Sequence, residues 1–482
     1  MTDVIIDCYT DEPAGLGVPP YLGTYPRYLY GRMKEPYYLT IDDLRLYRWF
    51  KSNPQKAGKK EKTNIKTYNL SKNYNRVGKI LNNAKNIVVI LGVHTPGNYL
   101  SALPGTIKEV RDLLPDKGNK ILTGPAVYGS QLEGGKFGEK TREEFDQILN
   151  FKPSYDEIKE YALKGAEIVE QIGDLRIAEI ETGHGCQHGK CSYCMEPLKN
   201  KLEFRNRKDI VEEIEVLYKK GIRHFRLGKQ TCFYAFPEVK KLLKSIWDQC
   251  PSIKTLHIDN ANPINVINSE DKTKPIVKYT TPGNVAALGV ESFDPEVVKA
   301  NNLNSDPQTS YEAIKIINKY GRERGKNGMP KFLPGINILQ GLNKESKETH
   351  KRNTEWLKKI LDEDLLVRRI NIRKVSIFPG TPIYNMCGNK FLKKNNQYYW
   401  KWRNQIRQEI DNPMLKKIVP IGTELKNVRM ETYDGKKTFG RQIGTYPLIV
   451  GINKRLPLKK FYNIKVKDHM LRSVVGEVSK TL

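Results

Sequence analysis

Three cysteines, Cys186, Cys191 and Cys194, fall within nine residues in the segment ETGHGCQHGKCSYCMEP. The other four (Cys8, Cys232, Cys250 and Cys387) are scattered, so the grouping points to metal rather than to a disulfide framework. Three thiolates can hold three irons of a [4Fe–4S] cluster and leave the fourth with an open position. An amine and a carboxylate from one amino acid can chelate that iron. S-adenosylmethionine (SAM) supplies both and places its sulfonium where the cluster can deliver an electron. The competing chemistry is structural zinc, with His188 or His184 completing a four-ligand set, because Cys/His spacings of two and four also suit tetrahedral zinc.

The elements around the triplet decide where such a site would sit. From about residue 175, strand-like segments recur at RIAEIET, HFRLGK, TLHIDN, NVAALGVES, PGINILQGL and INIRKVSIF, with amphipathic helices in most of the gaps. In DIVEEIEVLYKKG, Ile210, Val211, Ile214, Leu217 and Tyr218 share one helical face, and Gly221 is placed to end the helix. Six such units predict an α/β fold, a parallel sheet curved into a partial (β/α)6, TIM-like barrel over residues 171–412. Chemistry in such barrels sits at the carboxyl ends of the strands, and the cysteines directly follow the first strand. A structural zinc site rarely interrupts a barrel there, which favours the cluster. After the third strand, HIDNANP sets Asp259, Asn260 and Asn262 toward the mouth as candidate substrate-binding or catalytic groups, the plain alternative being an Asn/Asp-stabilised turn. For Gln340, Asn337 and Arg373, lone polar residues on strand patterns, structural roles are the better expectation.

Residues 1–170 read as a Rossmann-like unit: the strand NIVVILGV, the turn HTPGNYLSALPGT with Gly97, Pro104 and Gly105, the helix IKEVRDLL and the strand KILTGP. No GxGxxG is present, so a dinucleotide site is not supported. The stretch 51–67 is basic and reads as an exposed loop or an RNA-facing arm. After Pro413, short β-type runs between turn residues predict a small antiparallel β-barrel over 413–482, of a kind used on nucleic acid. Its candidates for phosphate contacts are Arg429, Lys436, Lys437, Arg441, Lys454, Arg455, Lys459 and Lys460, with Tyr433 and Tyr446 as stacking groups.

Charge agrees with that expectation. The 482 residues carry 82 Lys plus Arg against 54 Asp plus Glu, a formal charge of +28, with 38% hydrophobic residues. This is too apolar for a disordered polycation and too basic for an enzyme handling only small neutral metabolites, so a polyanionic partner is expected. The longest apolar runs are far shorter than the roughly 20 residues of a membrane span. Asp3 and Asp7 stand where a signal peptide would be basic, which makes a cytoplasmic address the expectation and a membrane partner an unexpected one.

With the triplet after the first strand of six units and Tyr193 just before the last cysteine, the chain resembles the radical SAM superfamily. It has four residues between the first two cysteines where the commonest pattern has three. The resemblance implies that Cys186, Cys191 and Cys194 hold a [4Fe–4S] cluster and that Tyr193 lies near the SAM adenine. It also implies that Gly228, Lys229 and Gln230 approach the methionine amine, and that Glu291 and Ser292, in GVES, contact the ribose. Gln230 stands beside Asp259, Asn260 and Asn262 among the catalytic candidates. The full-length layout resembles an archaeal group with a cobalamin-binding-like N-terminal domain and a C-terminal TRAM-like domain. It is carried by DCYTDEPAGLGVPPY, GVHTPGNYLSALPGT, HIDNANP, GVESFDP, LPGINILQGL and FPGTPIY. That group is taken to include the radical SAM partner of archaeosine synthase, a tRNA lyase. The implied partners are tRNA, a transglycosylase-like subunit and an electron donor. The implied reaction cleaves a carbon–nitrogen bond of a lysine adduct of 7-cyano-7-deazaguanine. Methylthiolation is the runner-up, although the first 185 residues hold only Cys8 where a second cluster would need three cysteines. Cobalamin-dependent methylation would lack the DxHxxG motif, His94 standing in GVHTPG instead. A zinc-containing, non-enzymatic RNA-binding protein is the reading from another class.

Overall fold

The computed structural model describes residues 2–10, 21–53, 67–93, 103–129, 135–138 and 145–481. The motif DEPAGLGVPP, most of the basic stretch 51–67, His94 and Gly97 lie outside the described residues. The chain divides into two compact units. One comprises 1–134, 138–180 and 205–225, the other 135–137, 181–204 and 226–482.

In the first unit, five parallel strands are ordered β2-β1-β3-β4-β5: β1 Thr2–Asp7, β2 Tyr37–Thr40, β3 Ala84–Ile90, β4 Asn119–Thr123 and β5 Gln147–Ile148. Val4, Ile6, Leu39, Ile87, Val89 and Leu122 enter one buried core, as apolar strands covered by helices must. The order reverses between β1 and β3, the doubly wound pattern expected of a Rossmann-like unit. At the end of β1, Cys8 is fully buried and its carbonyl accepts from Gly105 N–H at 3.1 Å. Helix Arg207–Lys219 buries Ile210, Val211, Ile214 and Leu217 as expected, together with Glu213. Glu213 is enclosed because its two carboxylate oxygens each meet a guanidinium at 2.5 Å, Arg27 on one side and Arg205 on the other.

The second unit receives the carboxyl ends of β6 Ala178–Glu181 and β9 His224–Gly228. Between them β7 Gly183–His184 and β8 Glu203–Phe204 form a short antiparallel clamp. Thr182 N–H donates to Gly228 O at 3.2 Å, and Asp259 N–H donates to Leu227 O at 3.1 Å. β10 Thr255–Ile258 therefore flanks β9 in the order β10-β9-β6, and a second sheet of β11 Asn260–Ala261, β12 Asn284–Glu291, β13 Phe332–Gln340 and β14 Arg369–Lys374 runs in parallel. The strands follow in chain order, as six consecutive βα units require.

Five strands then close on themselves in the order β15-β16-β17-β19-β18: β15 Glu424–Asp434, β16 Lys437–Gln442, β17 Val450–Ile452, β18 Phe461–His469 and β19 Val474–Thr481. All the pairs are antiparallel except β17 with β19. Among the described residues, no helix is long and apolar enough to cross a membrane.

Candidate active site

The cysteine loop is held from several sides. Gly185, at φ +79°, lies against the residues just before β8, where a Cβ would stand 2.4 Å from Lys201 O and 2.5 Å from Leu202 N. Its N–H donates to Glu196 Oε1 at 2.8 Å, and its carbonyl accepts from Thr231 Oγ1 at 2.9 Å. Further along, Ser192 donates through its backbone N–H to Asn301 O (2.9 Å) and through Oγ to Asn301 Oδ1 (2.8 Å), while its carbonyl accepts from Ile383 N–H at 2.9 Å.

The thiols are partly exposed and close enough to act on one another. Burial, then the neighbouring Cys194 and Glu291, pushes Cys191 up to about 12. Burial likewise pushes Cys194 up to about 11, with Glu196 and Cys186 adding to the effect. Thiols in such a setting become thiolates only against a strongly cationic partner, which is what a metal centre supplies. The donor set fits the cluster better than zinc. His188 Nε2 is engaged with Asn302 O at 2.6 Å, and His184 lies between Glu181 (3.3 Å) and Glu203 (3.6 Å). Among the described residues, no three His, Cys, Asp or Glu side chains converge on a single ion.

Beside the loop is a small pocket lined in part by Gly185, Gln187, Gln230, Thr231, Cys232 and Asn262. Gln230 is 1% exposed, and among the described residues neither Nε2 nor Oε1 has a hydrogen-bond partner. A buried amide without such partners is unfavourable unless a polar ligand arrives. Lys229 before it has φ +69°, and Glu291 at the end of β12 has φ +63°. Burial pushes Glu291 up to about 7, against a hydrogen bond from Tyr193 and the nearby Arg373.

The other candidates have partners within the protein. Tyr193 donates to the Glu291 carboxylate and packs against the cluster around Val297, Leu342 and Ile377, so its side chain is used within the protein. Ser292 Oγ accepts from Asp294 N–H at 3.1 Å and closes a turn. Asp259 is buried in an ion pair with Arg226, and Asn260 Nδ2 donates to Asp259 Oδ2 at 3.3 Å. Asn262 does reach the pocket, its backbone N–H donating to Cys232 Sγ at 3.2 Å.

In the terminal barrel, Lys436, Lys437, Lys454, Arg455, Lys459 and Lys460 are exposed. Arg429 and Arg441 are corrected: they are buried against Glu431, at 3.6 and 2.8 Å, and cannot meet phosphates. Tyr433 donates to Leu456 O at 2.8 Å beneath Arg455, and Tyr446 stacks with Arg369 at 4.4 Å.

A thiol triplet at the carboxyl ends of a parallel α/β array, with an unsatisfied amide beside it, defines an enzyme class that joins an iron–sulfur cluster to a nucleotide sulfonium. The chain belongs to the radical SAM superfamily, whose sequence profile, described as Radical SAM superfamily, matches residues 180–352. Members use a [4Fe–4S] cluster and SAM. Over 99% of its length the chain is 40% identical to an uncharacterised protein of Methanocaldococcus jannaschii, covering 93% of that protein. It is 24% identical to the ribosomal protein uS12 methylthiotransferase RimO of Carboxydothermus hydrogenoformans, over 80% of this chain and 90% of that one. It is also similar to the radical SAM methyltransferase TsrM of Kitasatospora setae, at 14% identity and a TM-score of 0.49, over 79% of this chain and 74% of that one.

Proposed function

We propose that the chain is a radical SAM enzyme that modifies tRNA, cleaving a carbon–nitrogen bond of a lysine adduct of 7-cyano-7-deazaguanine to leave the amidine of archaeosine. In this reading Cys186, Cys191 and Cys194 hold the cluster, and Gln230 with the Gly228–Lys229 turn receives the methionine end of SAM. Bound together, reduced cluster and SAM supply a carbon-centred radical that takes hydrogen from an unactivated carbon. The protein's own part is positional. The β7–β8 clamp and Ser192 fix the spacing of the thiols, and the Arg226–Asp259 pair holds one wall. Hydrogen abstraction at the lysine carbon beside the nitrogen would leave an α-amino radical; loss of its electron to the oxidised cluster would give a C=N bond, and water would hydrolyse that bond to the amidine on the base and the side chain as an aldehyde.

The observation that carries the RNA reading is the set of six exposed cations at one end of the terminal barrel. Thr438 Oγ1 donates to Lys454 O at 2.7 Å, which brings the Lys436–Lys437 turn beside Lys454 and Arg455. Lys459 follows, its N–H donating to Met430 O at 2.7 Å. A TRAM-like role on tRNA phosphates accounts for that face, and a transglycosylase-like partner would present the adduct. Methylthiolation is disfavoured because the only cysteine before Cys186 is Cys8, sealed in the core of the first unit.

The test is anaerobic incubation of reconstituted protein with SAM, a reductant and total tRNA from cells lacking this protein. About four irons per chain, 5′-deoxyadenosine and a changed nucleoside mass are expected. One zinc and no SAM cleavage would refute the class. SAM cleavage with methylthio- or methyl-nucleoside product would refute the lyase.

A further inference from the structure

The helix Lys390–Ile406 lies along the edge of the second parallel sheet and turns one face to solvent. Leu392, Asn395, Tyr399, Trp402 and Ile406 recur three and four positions apart and are buried. Three bonds tie this helix to β14. Arg407 Nη1, just past its end, donates to Ile370 O at 2.6 Å, Tyr399 Oη to Ile372 O at 3.2 Å and Lys374 Nζ to Asn396 Oδ1 at 2.6 Å. The helix therefore runs antiparallel to β14, the last strand of its sheet. Lys374 pairs with Gln340 at the carboxyl ends of β14 and β13, the end of the strands that faces the mouth.

On the side of the helix next to Lys374, the residues Lys393, Asn396, Trp400 and Arg403 follow one another at spacings of three and four. Trp400 is 56% exposed. Its ring meets Tyr399 edge-on at 5.0 Å, with the Arg403 guanidinium 5.2 Å and the Lys374 ammonium 5.8 Å from its centroid. What surrounds this indole decides its partner. A protein interface centres an aromatic anchor in an apolar patch and pushes charge to the rim. Around Trp400 stand cations and amides instead, and from 365 to 408 the sequence holds ten Lys and Arg and no Asp or Glu. An open ring for stacking, with cations beside it for backbone phosphates, matches an unpaired nucleotide.

We propose that Trp400, flanked by Lys393 and Arg403, is a stacking platform for an unpaired nucleotide of the RNA substrate, distinct from the cationic end of the terminal barrel. The proposal rests on the reading above only in taking RNA as the substrate. Chemistry on a base requires that base to leave the stack. A platform beside the strand ends gives the neighbouring nucleotide a new stacking partner when this happens.

The experiment is fluorescence-anisotropy titration of the full chain with three labelled probes: total tRNA, a short single-stranded RNA and the duplex of the same sequence. Trp400→Ala is expected to bind tRNA and the single strand about 5-fold to 150-fold more weakly, the range for one stacked base, and the duplex within about twofold. Its salt slope is expected to stay unchanged, whereas Lys393→Ala and Arg403→Ala are each expected to lower the slope by about 0.7. Trp400→Phe keeps a stacking ring and is expected to bind within about threefold of the unmodified chain, which separates lost stacking from a disturbed helix. Trp400→Ala binding tRNA within about twofold of the unmodified chain would overturn the proposal. This is the result that a surface for an acidic protein would give. Equal weakening on single strand and duplex would overturn it too. The reaction reading fails separately: if the enzyme with SAM leaves the tRNA nucleosides unchanged while Trp400→Ala still weakens binding, the lyase falls and the platform stands.

Discussion

Replacing Gly185 by alanine tests whether the β7–β8 clamp sets the thiol spacing. At φ +79° an L-residue is disfavoured by about 1–2 kcal/mol. The new Cβ would also stand 2.4 Å from Lys201 O and 2.5 Å from Leu202 Cα and N, all backbone, so the segment leading into β8 must move. Overpacking of this kind adds about 1–3 kcal/mol, for a combined penalty of about 2–5 kcal/mol. Gly189, four residues on in the same loop, is the internal control. It has φ +60°, but a Cβ there meets nothing closer than 3.5 Å, so only the conformational part applies. The assay is hydrogen exchange across residues 183–204 together with iron content after anaerobic reconstitution. In Gly185→Ala the amides of the clamp are expected to open from about thirtyfold to a few thousandfold more often, and iron to fall. Gly189→Ala is expected to change opening by about tenfold and to retain most of its iron. If Gly185→Ala keeps unchanged exchange and full iron, or if the two variants behave alike, the clamp does not position the thiols.

Gln230→Leu is expected to stabilise the ligand-free protein by up to about 1–3 kcal/mol, because it removes a buried amide with no partners, and to abolish the rise in melting temperature on adding SAM. A retained SAM shift would show that the amide does not receive SAM. Glu213→Gln is expected to lower stability by about 3–5 kcal/mol in urea unfolding, since two buried guanidiniums lose their counter-charge; a loss under about 1 kcal/mol would contradict the burial of that node. Burial pushes the Glu213 carboxyl up, but Arg205 and Arg27 pull it below its ordinary value. Its contribution is therefore present above about pH 4.3 and lost as pH falls through the folded value, and Glu213→Gln flattens that acid limb. Replacing Lys436, Lys437, Lys454 and Arg455 by alanine is expected to reduce the salt slope of tRNA binding by about 0.7–0.9 for each phosphate that is no longer neutralised. Arg441→Met should alter barrel stability and leave the slope unchanged, so a changed slope would reopen its assignment to phosphate.

What the sequence made legible is what local pattern encodes. Three cysteines within one loop and a run of apolar strands each followed by a turn are short-range signals, and they placed the thiols at the strand ends. The misses are long-range. Arg226 and Asp259 are on neighbouring strands but far apart in the chain, so nothing local announces the ion pair. Tyr446 reads as a loop aromatic, and its partner Arg369 precedes it by more than seventy positions. Arg429 and Arg441 were expected on RNA because each is a cation on a basic strand; Glu431, two residues from Arg429 and so on the same face of β15, was the available sign that the face is paired. Glu213 carried a similar sign: a carboxylate among Ile210, Ile214 and Leu217 on an apolar face needs a buried cation.

The backbone at the mouth adds a step that the side chains alone do not. Lys229 and Glu291 occupy left-handed φ immediately at the ends of β9 and β12, each disfavoured by about 1–2 kcal/mol for a non-glycine residue. Glycine would remove that strain, so its persistence means that surrounding bonds over-determine both turns. At Glu291 those bonds are visible: Tyr193 holds the carboxylate, and the adjoining Ser192 is tied to Asn301 and Ile383. One chain of contacts thus runs from the thiol loop through Tyr193 to Glu291 at the end of β12.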